Sequence, residues 1–360
     1  MHHKIPVTKA FLPPKEEYDK LLSDIWETGW LTNNGKYLVT LEKKLEEYLG
    51  VKHCILVSNG TIAIQLALKS FNITKEVITT PYSYVATTNA LLWENCKPVF
   101  VDIDQNSFSI DTKLIESAIT KDTEAILATH CYGLPGELER IEQIAKRYKL
   151  KVIYDAAHAF GVQYRGESIL NYGDLSTLSF HATKLFHTVE GGAIICHDDE
   201  LAEKIKLIRS FGHIGDDYFG LGINGKNSEF HAAMGHAVLP YVDKIIERRK
   251  YIYSLYRKSL DSLNQFDFSI IESLTYNYSY FPFVAASEEQ LLALIDNLNK
   301  KDIFPRRYFY PSLNNLPHNV GESCPKSEAI SRKTICLPLF YELREDEVSK
   351  VIMNIIDFFK

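Results

Sequence analysis

The 360-residue chain is notable first for what it does not contain. Six cysteines (Cys54, Cys96, Cys131, Cys196, Cys324 and Cys336) are spread out with no Cys-x-x-Cys pair, which argues against a disulfide framework and a zinc ribbon and for a reducing compartment. No stretch approaches the ~20 apolar residues of a spanning helix, and the opening Met-His-His-Lys-Ile-Pro lacks the apolar centre of a secretory leader. A cytoplasmic location and no membrane partner are expected, with His2 and His3 read as a solvated terminus. Lys plus Arg total 40 against 46 for Asp plus Glu, a formal charge of -6 without a basic block, so nucleic acid is not an expected partner. Internal repeats are missing, and histidines such as His130, His187 and His231 do not fall at metal-ligand spacing, so no metal is expected.

What is present is ordinary globular composition: 46% hydrophobic, 24% charged and 12% aromatic residues. At ~150 residues per domain, the length suits one large domain and a smaller one. Short β-branched runs alternate with amphipathic helical stretches: strands at 54–58, 76–79, 98–102, 125–129, 151–154, 177–180 and 193–196, helices at 62–70, 85–93, 114–118 and 138–148. That order predicts an α/β fold with a mostly parallel sheet covered on both faces. Beyond residue 239 the pattern changes to helix 241–263, strand 280–285, helix 288–300 and a last helix 345–360, a smaller α+β unit. The expected domains are therefore 1–239 and 240–360, with the first 30 or so residues running over one of them, the small domain being the expected support.

In an open parallel sheet ligands bind at the carboxyl ends of strands, so polar residues there come first. Ser58-Asn59-Gly60-Thr61 lies between a strand and a helix, where free N–H groups suit an anion such as phosphate; a plain helix cap is the other reading. Asp155 ends an apolar run, where a carboxylate needs a positive partner such as a protonated ring nitrogen or else serves as a cap. Ala156 and Ala157 leave room for a flat ring, and His158 could reach its edge. Lys184 follows Ser179-Phe180-His181-Ala182-Thr183, and a desolvated lysine forms a Schiff base with an aldehyde. Gly191-Gly192 would permit backbone crowding near a ligand, and Tyr84, or less readily Tyr82, could stack on an aromatic ring. Residues 220–225 formally satisfy G-x-G-x-x-G, but no apolar strand precedes them, so the dinucleotide reading is rejected. Together these residues describe a pyridoxal 5'-phosphate site, with Asp155 on the ring nitrogen and Lys184 on the aldehyde.

These motifs, with Tyr84-Val85-Ala86-Thr87, His130-Cys131-Tyr132-Gly133, Glu190-Gly191-Gly192 and Gly222-Ile223-Asn224-Gly225-Lys226, resemble the DegT/StrS family of nucleotide-sugar aminotransferases over most of the chain. The resemblance implies an aspartate-aminotransferase-like fold type I with a mostly parallel seven-stranded sheet in the large domain. It also implies a homodimer, an internal aldimine on Lys184, Asp155 on the ring nitrogen, and Gly60, Thr61 and Ser179 on the phosphate. Tyr84 would stack on the ring, His158 stands near the ring hydroxyl where many relatives carry Gln, and Asn224 would reach the partner subunit's cofactor phosphate.

A branch of the family that carries histidine in place of the lysine performs dehydration; Lys184 sets this chain apart from it. Among aminating members, Ile5-Pro6-Val7-Thr8, Trp30-Leu31-Thr32-Asn33-Asn34-Gly35 and Thr183-Lys184-Leu185-Phe186-His187 are most similar to those that aminate carbon 4 of dTDP-4-keto-6-deoxyglucose. The expected substrates are thus a nucleotide-linked ketosugar and glutamate, the product an amino sugar for surface polysaccharide. Amination at carbon 3 of a dTDP-3-keto-6-deoxyhexose is the alternative, and a non-catalytic pyridoxal-binding regulator a remoter one. Candidate substrate contacts are Trp30, Thr32, Lys226, Arg306, Arg307 and Tyr310; guanidinium forks suit a diphosphate, while a solvated basic turn is the bland reading of 306–310.

Overall fold

In the computed structural model, which describes residues 4–266 and 269–360, seven strands form the central sheet. They are β1 (His53–Val57), β2 (Glu76–Thr79), β3 (Lys97–Phe100), β4 (Thr123–Thr129), β5 (Lys151–Asp155), β6 (Leu175–Ser179) and β7 (Gly192–Cys196). Across the sheet the order is β1-β7-β6-β5-β4-β2-β3, parallel throughout except for β7, which runs antiparallel to both β1 and β6. The expected mostly parallel seven-stranded sheet is what the chain forms. The histidine pair His2 and His3 lies outside the described residues.

Both faces of the sheet are buried, as near-continuous apolar strands require. Along β5, Ile153 joins one core with Ile55, Val77, Leu127 and Ile194, while Val152 and Tyr154 join the opposite core with Ile78, Ile126 and Ile141. That alternation follows from the two-residue period of a strand.

Four helices frame the functional region or its approaches: α1 (Lys15–Thr28), α2 (Lys36–Leu49), α3 (Gly60–Ser70) and α4 (Val85–Trp93). Strand β3 stops at Phe100, short of the expected residue 102, because Asp102 turns to cap another element. Its carboxylate accepts from the Lys326 and Ser327 N–H groups, both at 2.8 Å, at the start of the helix Pro325–Lys333.

Residues 229–260 form nearly continuous helix, Glu229–Val238, a short turn Leu239–Tyr241 and Val242–Leu260. The N-terminal residues Ile5–Pro6 pair in parallel with Ile303–Phe304, and Leu339 N–H donates to the Val7 carbonyl. Residues 305–328 run back over the sheet end, where the Leu313 N–H reaches the Pro81 carbonyl at 2.9 Å. This return brings C-terminal residues onto the carboxyl ends of the strands. Among the described residues no helix is long and apolar enough to cross a membrane.

Candidate active site

A cavity of about 280 Å³ opens at the carboxyl ends of β1, β5 and β6, and the residues that line it include Gly60, Thr61, Tyr84, Asp155, His158, Ser179, Lys184 and Arg306. Eight candidates spread over 247 positions of sequence are thus brought together by the crossover topology (306 less 60, counting both ends).

At one end of the cavity α3 begins. Asn59 caps it, its Oδ1 accepting from the Ile62 N–H at 2.9 Å, which leaves the Gly60 and Thr61 end of the helix directed at the cavity. A Cβ on Gly60 would lie 3.0 Å from the Ser179 Cβ, so glycine is what lets the helix start meet the end of β6. Gly192 has a different role from the one the sequence indicated: a Cβ there would meet the Asn59 carbonyl carbon at 2.6 Å. The crowding at the glycine pair is protein against protein, and it fixes the loop that caps α3.

At the other end Asp155 terminates β5 and is 7% exposed. Its Oδ2 accepts from the Thr87 hydroxyl at 2.6 Å and its Oδ1 from the Ala157 N–H at 3.2 Å. Behind Thr87, Ser83 and Thr129 continue a hydroxyl chain at 2.7 and 3.1 Å. The hydrogen bonds are satisfied, yet among the described residues no cation pairs with this carboxylate. A buried carboxylate left without a counter-charge is costly.

Lys184 lies in the turn after β6, its N–H donating to the His181 carbonyl at 2.8 Å. Burial lowers its ammonium from the usual 10.5 to about 8, against the opposing pull of Asp155. Its Nζ reaches the Tyr280 hydroxyl at 3.5 Å. His158 is buried and neutral: desolvation first and Lys184 second press its pKa well below the ordinary range. The Tyr132 N–H donates to its Nδ1 at 3.1 Å, which places the ring proton on Nε2. The Phe309 ring lies parallel to it at 5.5 Å.

Tyr84 is half exposed at the cavity mouth, 6.4 Å from Phe309, whereas Tyr82 is fully buried and bonded to the Tyr132 hydroxyl and the Tyr308 carbonyl. Arg306 lines the cavity with its guanidinium 4.9 Å from the Tyr308 ring. Arg307 faces elsewhere: it pairs with Glu288 at 2.8 Å, donates to the Arg332 carbonyl at 3.0 Å and covers Tyr310, so neither Arg307 nor Tyr310 lines the cavity.

The remaining candidates gather in a second, exposed place. Trp30, Thr32, Asn224 and Lys226 do not line this chain's cavity. Their loops are tied by buried Arg209, which donates to Asn34 Oδ1 at 3.0 Å and whose carbonyl accepts from Gly225. The Ser58 N–H donates to the Gly225 carbonyl, so this strip abuts the start of α3. The hairpin His213–Ile214 with Asp217–Tyr218 precedes it, and no parallel strand leads into the glycine run.

Thr87 stood in the Tyr84–Thr87 motif, and Tyr308 and Phe309 in the segment 306–310, without individual roles, while Tyr280 and Arg249 were not singled out from the sequence. Thr87 carried a signal, standing three residues after Tyr84 at the start of α4, on the turn that faces the sheet end. The places of the others depend on how residues beyond 240 fold back toward the sheet end.

The arrangement fits pyridoxal phosphate. The ion-pair partner that Asp155 lacks is one a protonated pyridine nitrogen supplies, the helix start suits a phosphate, and Lys184 is a desolvated amine lining the same cavity. Fold and site thus define a pyridoxal phosphate enzyme of the aspartate-aminotransferase-like kind. The chain belongs to the DegT/DnrJ/EryC1/StrS aminotransferase family, whose sequence profile matches residues 14–356. It is 44% identical over 363 residues to the dTDP-4-amino-4,6-dideoxy-D-glucose transaminase of Shigella dysenteriae, covering 99% of each chain. Its fold matches the crystal structure of DesI in the presence of its TDP-sugar product with a TM-score of 0.94 at 26% identity, covering 99% of this chain and 93% of that one. It also matches NtdA from Bacillus subtilis with bound cofactor PMP, TM-score 0.88 at 28% identity, covering 96% and 81%. The chain is a pyridoxal phosphate-dependent sugar aminotransferase.

Proposed function

We propose that the enzyme moves an amino group from glutamate to carbon 4 of dTDP-4-keto-6-deoxyglucose, as a homodimer, with Lys184 as the residue that holds the cofactor and carries the proton. The observation behind the substrate assignment is the end-to-end likeness to a transaminase named for dTDP-4-amino-4,6-dideoxy-D-glucose. When bound, pyridoxal phosphate supplies an aldehyde that takes up the amino group and a ring that accommodates the electron pair left by a departing proton.

The chain's own groups do the rest. Asp155, held by Thr87 and the Ala157 N–H, keeps the ring nitrogen positive. Gly60, Thr61 and Ser179 bind the phosphate, Tyr84 covers the ring, and His158, a neutral donor at Nε2, faces the ring edge. Lys184, lowered to about 8, is available as a neutral amine near neutral to mildly alkaline pH, where it takes a proton from the donor carbon and returns it to carbon. Arg306 binds the diphosphate. Asn224 crosses to the partner's phosphate site from a strip flanked by the exposed apolar side chains Ile214, Tyr218, Phe219, Leu221 and Ile223, a surface of the kind that a second copy covers.

The test is the visible spectrum of the purified protein, followed by glutamate and then by the ketosugar, with the product identified by NMR. The cofactor band should collapse with glutamate and return with dTDP-4-keto-6-deoxyglucose, leaving an amine on carbon 4. An amine formed only from the 3-keto isomer overturns the substrate assignment. No response to any amino donor would favour a pyridoxal-binding regulator.

A further inference from the structure

The side chain of Lys184 has one hydrogen-bond partner among the described residues, and that partner comes from the C-terminal unit: its Nζ lies 3.5 Å from the Tyr280 hydroxyl. Tyr280 is brought there by Asn277, whose side-chain amide donates to the His158 and Phe160 carbonyls at 2.9 and 3.0 Å. Its ring is 4.7 Å from His158 and nearly perpendicular to Tyr308 at 5.6 Å. The hydroxyl is therefore placed by packing on several sides.

Behind this pair lies a small hollow lined by Ala157, His158, Lys184, Arg249, Ser279 and Tyr280. Arg249, on the helix Val242–Leu260, is 4% exposed. One guanidinium N–H donates to the Ser279 carbonyl at 3.0 Å, Nε has no hydrogen-bond partner, and no carboxylate pairs with it among the described residues. A buried cation is normally compensated by a carboxylate, so an uncompensated one marks a group acting on its neighbours. The neighbour here is Tyr280. Burial lowers Arg249 to about 10 while Tyr280 draws it back up, and Arg249 in turn opposes the burial that raises the Tyr280 phenol.

We infer that Tyr280 is a further catalytic residue of this site, its hydroxyl holding the Lys184 amine during proton transfer, and that Arg249 is the positioning residue that holds Tyr280. The inference rests on the proton-carrying role proposed above for Lys184. The proton leaves the donor carbon for the Lys184 nitrogen, which becomes an ammonium and donates a hydrogen bond to the Tyr280 oxygen. It then passes from nitrogen to carbon, and Tyr280 keeps its own proton throughout. The other titratable groups around the hydroxyl are His158, Tyr308, Tyr132, Cys131 and Cys336. None of them is a carboxylate that could replace it.

The experiment uses the full-length enzyme with Tyr280→Phe, which keeps the ring and removes the oxygen. Saturating cofactor uptake at a pH above the capture midpoint and Tm should stay as in the parent, while the single-turnover rate with glutamate falls roughly tenfold to a hundredfold with KM for glutamate little changed. Independently of turnover, the pH dependence of pyridoxal phosphate capture by cofactor-free protein reports the Lys184 amine. Losing an oxygen that accepts from the ammonium should move that profile to lower pH. Arg249→Gln, which can still donate to the Ser279 carbonyl, should slow the enzyme alone but add little in the Tyr280→Phe background; Arg249→Met takes its place if that variant does not fold. A Tyr280→Phe enzyme with unchanged single-turnover rate and capture profile overturns the inference, as do additive effects of the two substitutions. Normal turnover by Lys184→Ala would instead overturn the role of Lys184 itself.

Discussion

The Thr87 hydroxyl donates to Asp155 Oδ2 at 2.6 Å, joining the first turn of α4 to the end of β5. The bond satisfies one side of a buried carboxylate that has no ion-pair partner among the described residues, so it matters most when a positive ring nitrogen is present. Thr87→Val keeps the shape and removes the donor. The loss of one hydrogen bond to a charged group, ~1.5–3 kcal/mol, predicts roughly tenfold to hundredfold weaker cofactor retention. Dialysis followed by fluorescence titration with pyridoxal phosphate measures it. Asp155→Asn should be worse, since it removes the charge as well as an acceptor.

The two neighbouring arginines should separate cleanly. Arg306 lines the cavity, whereas Arg307 is spent on Glu288 and the Arg332 carbonyl. Arg306→Ala is expected to raise KM for the nucleotide sugar by at least tenfold with little change in Tm. Arg307→Ala is expected to lower Tm by a few degrees and leave that KM near the parent value. Steady-state kinetics on both variants decides the matter; an unchanged KM in both would end the diphosphate role for this turn.

Lys184 gives a prediction with a definite sign. Burial lowers its ammonium to about 8, so the amine becomes neutral as pH rises through that value, well before an ordinary lysine at 10.5. The rate of pyridoxal phosphate capture by cofactor-free protein should climb with pH and level off above about 8. Asp155 holds the ammonium up against burial, and Asp155→Asn should therefore move the midpoint to lower pH. A midpoint near 10 would mean that the side chain is solvated.

The sequence carried the scaffold of this site but not its closure. Helices at 85–93 and 138–148 and the strand at 76–79 coincide with their structural bounds, because apolar periodicity and flanking turns mark them locally. The reversed direction of β7 has no such mark, since an apolar strand reads the same in either direction. Helix α2 did have a signal in Leu38, Leu41, Leu45 and Leu49, all buried on one face, although it was not among the segments assigned. Gly60, Asp155 and Lys184 were legible because strand ends and helix starts announce them. Tyr280 was not, and Phe309 was legible only as part of the segment 306–310, because their places depend on how residues distant along the chain fold back onto the sheet end. Lys226 and Arg307 look alike as basic residues near turns, and only the partners each finds, the Phe211 ring and Glu288, distinguish them.

Arg209 offers the last and most structural prediction. It is 2% exposed, and one guanidinium nitrogen donates to both Glu42, at 2.8 Å, and the Leu56 carbonyl, at 2.6 Å, while the other reaches Asn34. Breaking a buried pair by removing one partner leaves the other charged and unpaired, at a cost of ~3–5 kcal/mol. Arg209→Met should accordingly lower Tm by roughly 10 °C. Arg209→Met with Glu42→Gln should recover part of the loss, because the stranded carboxylate is then gone. The same arginine joins the loops that carry Asn34 and Gly225, next to Asn224, so the single variant should also weaken self-association and cofactor retention, whereas the double variant recovers stability without recovering either. Thermal denaturation, sedimentation and cofactor titration on the two variants separate the ion pair's contribution to folding from its part in holding that strip in place.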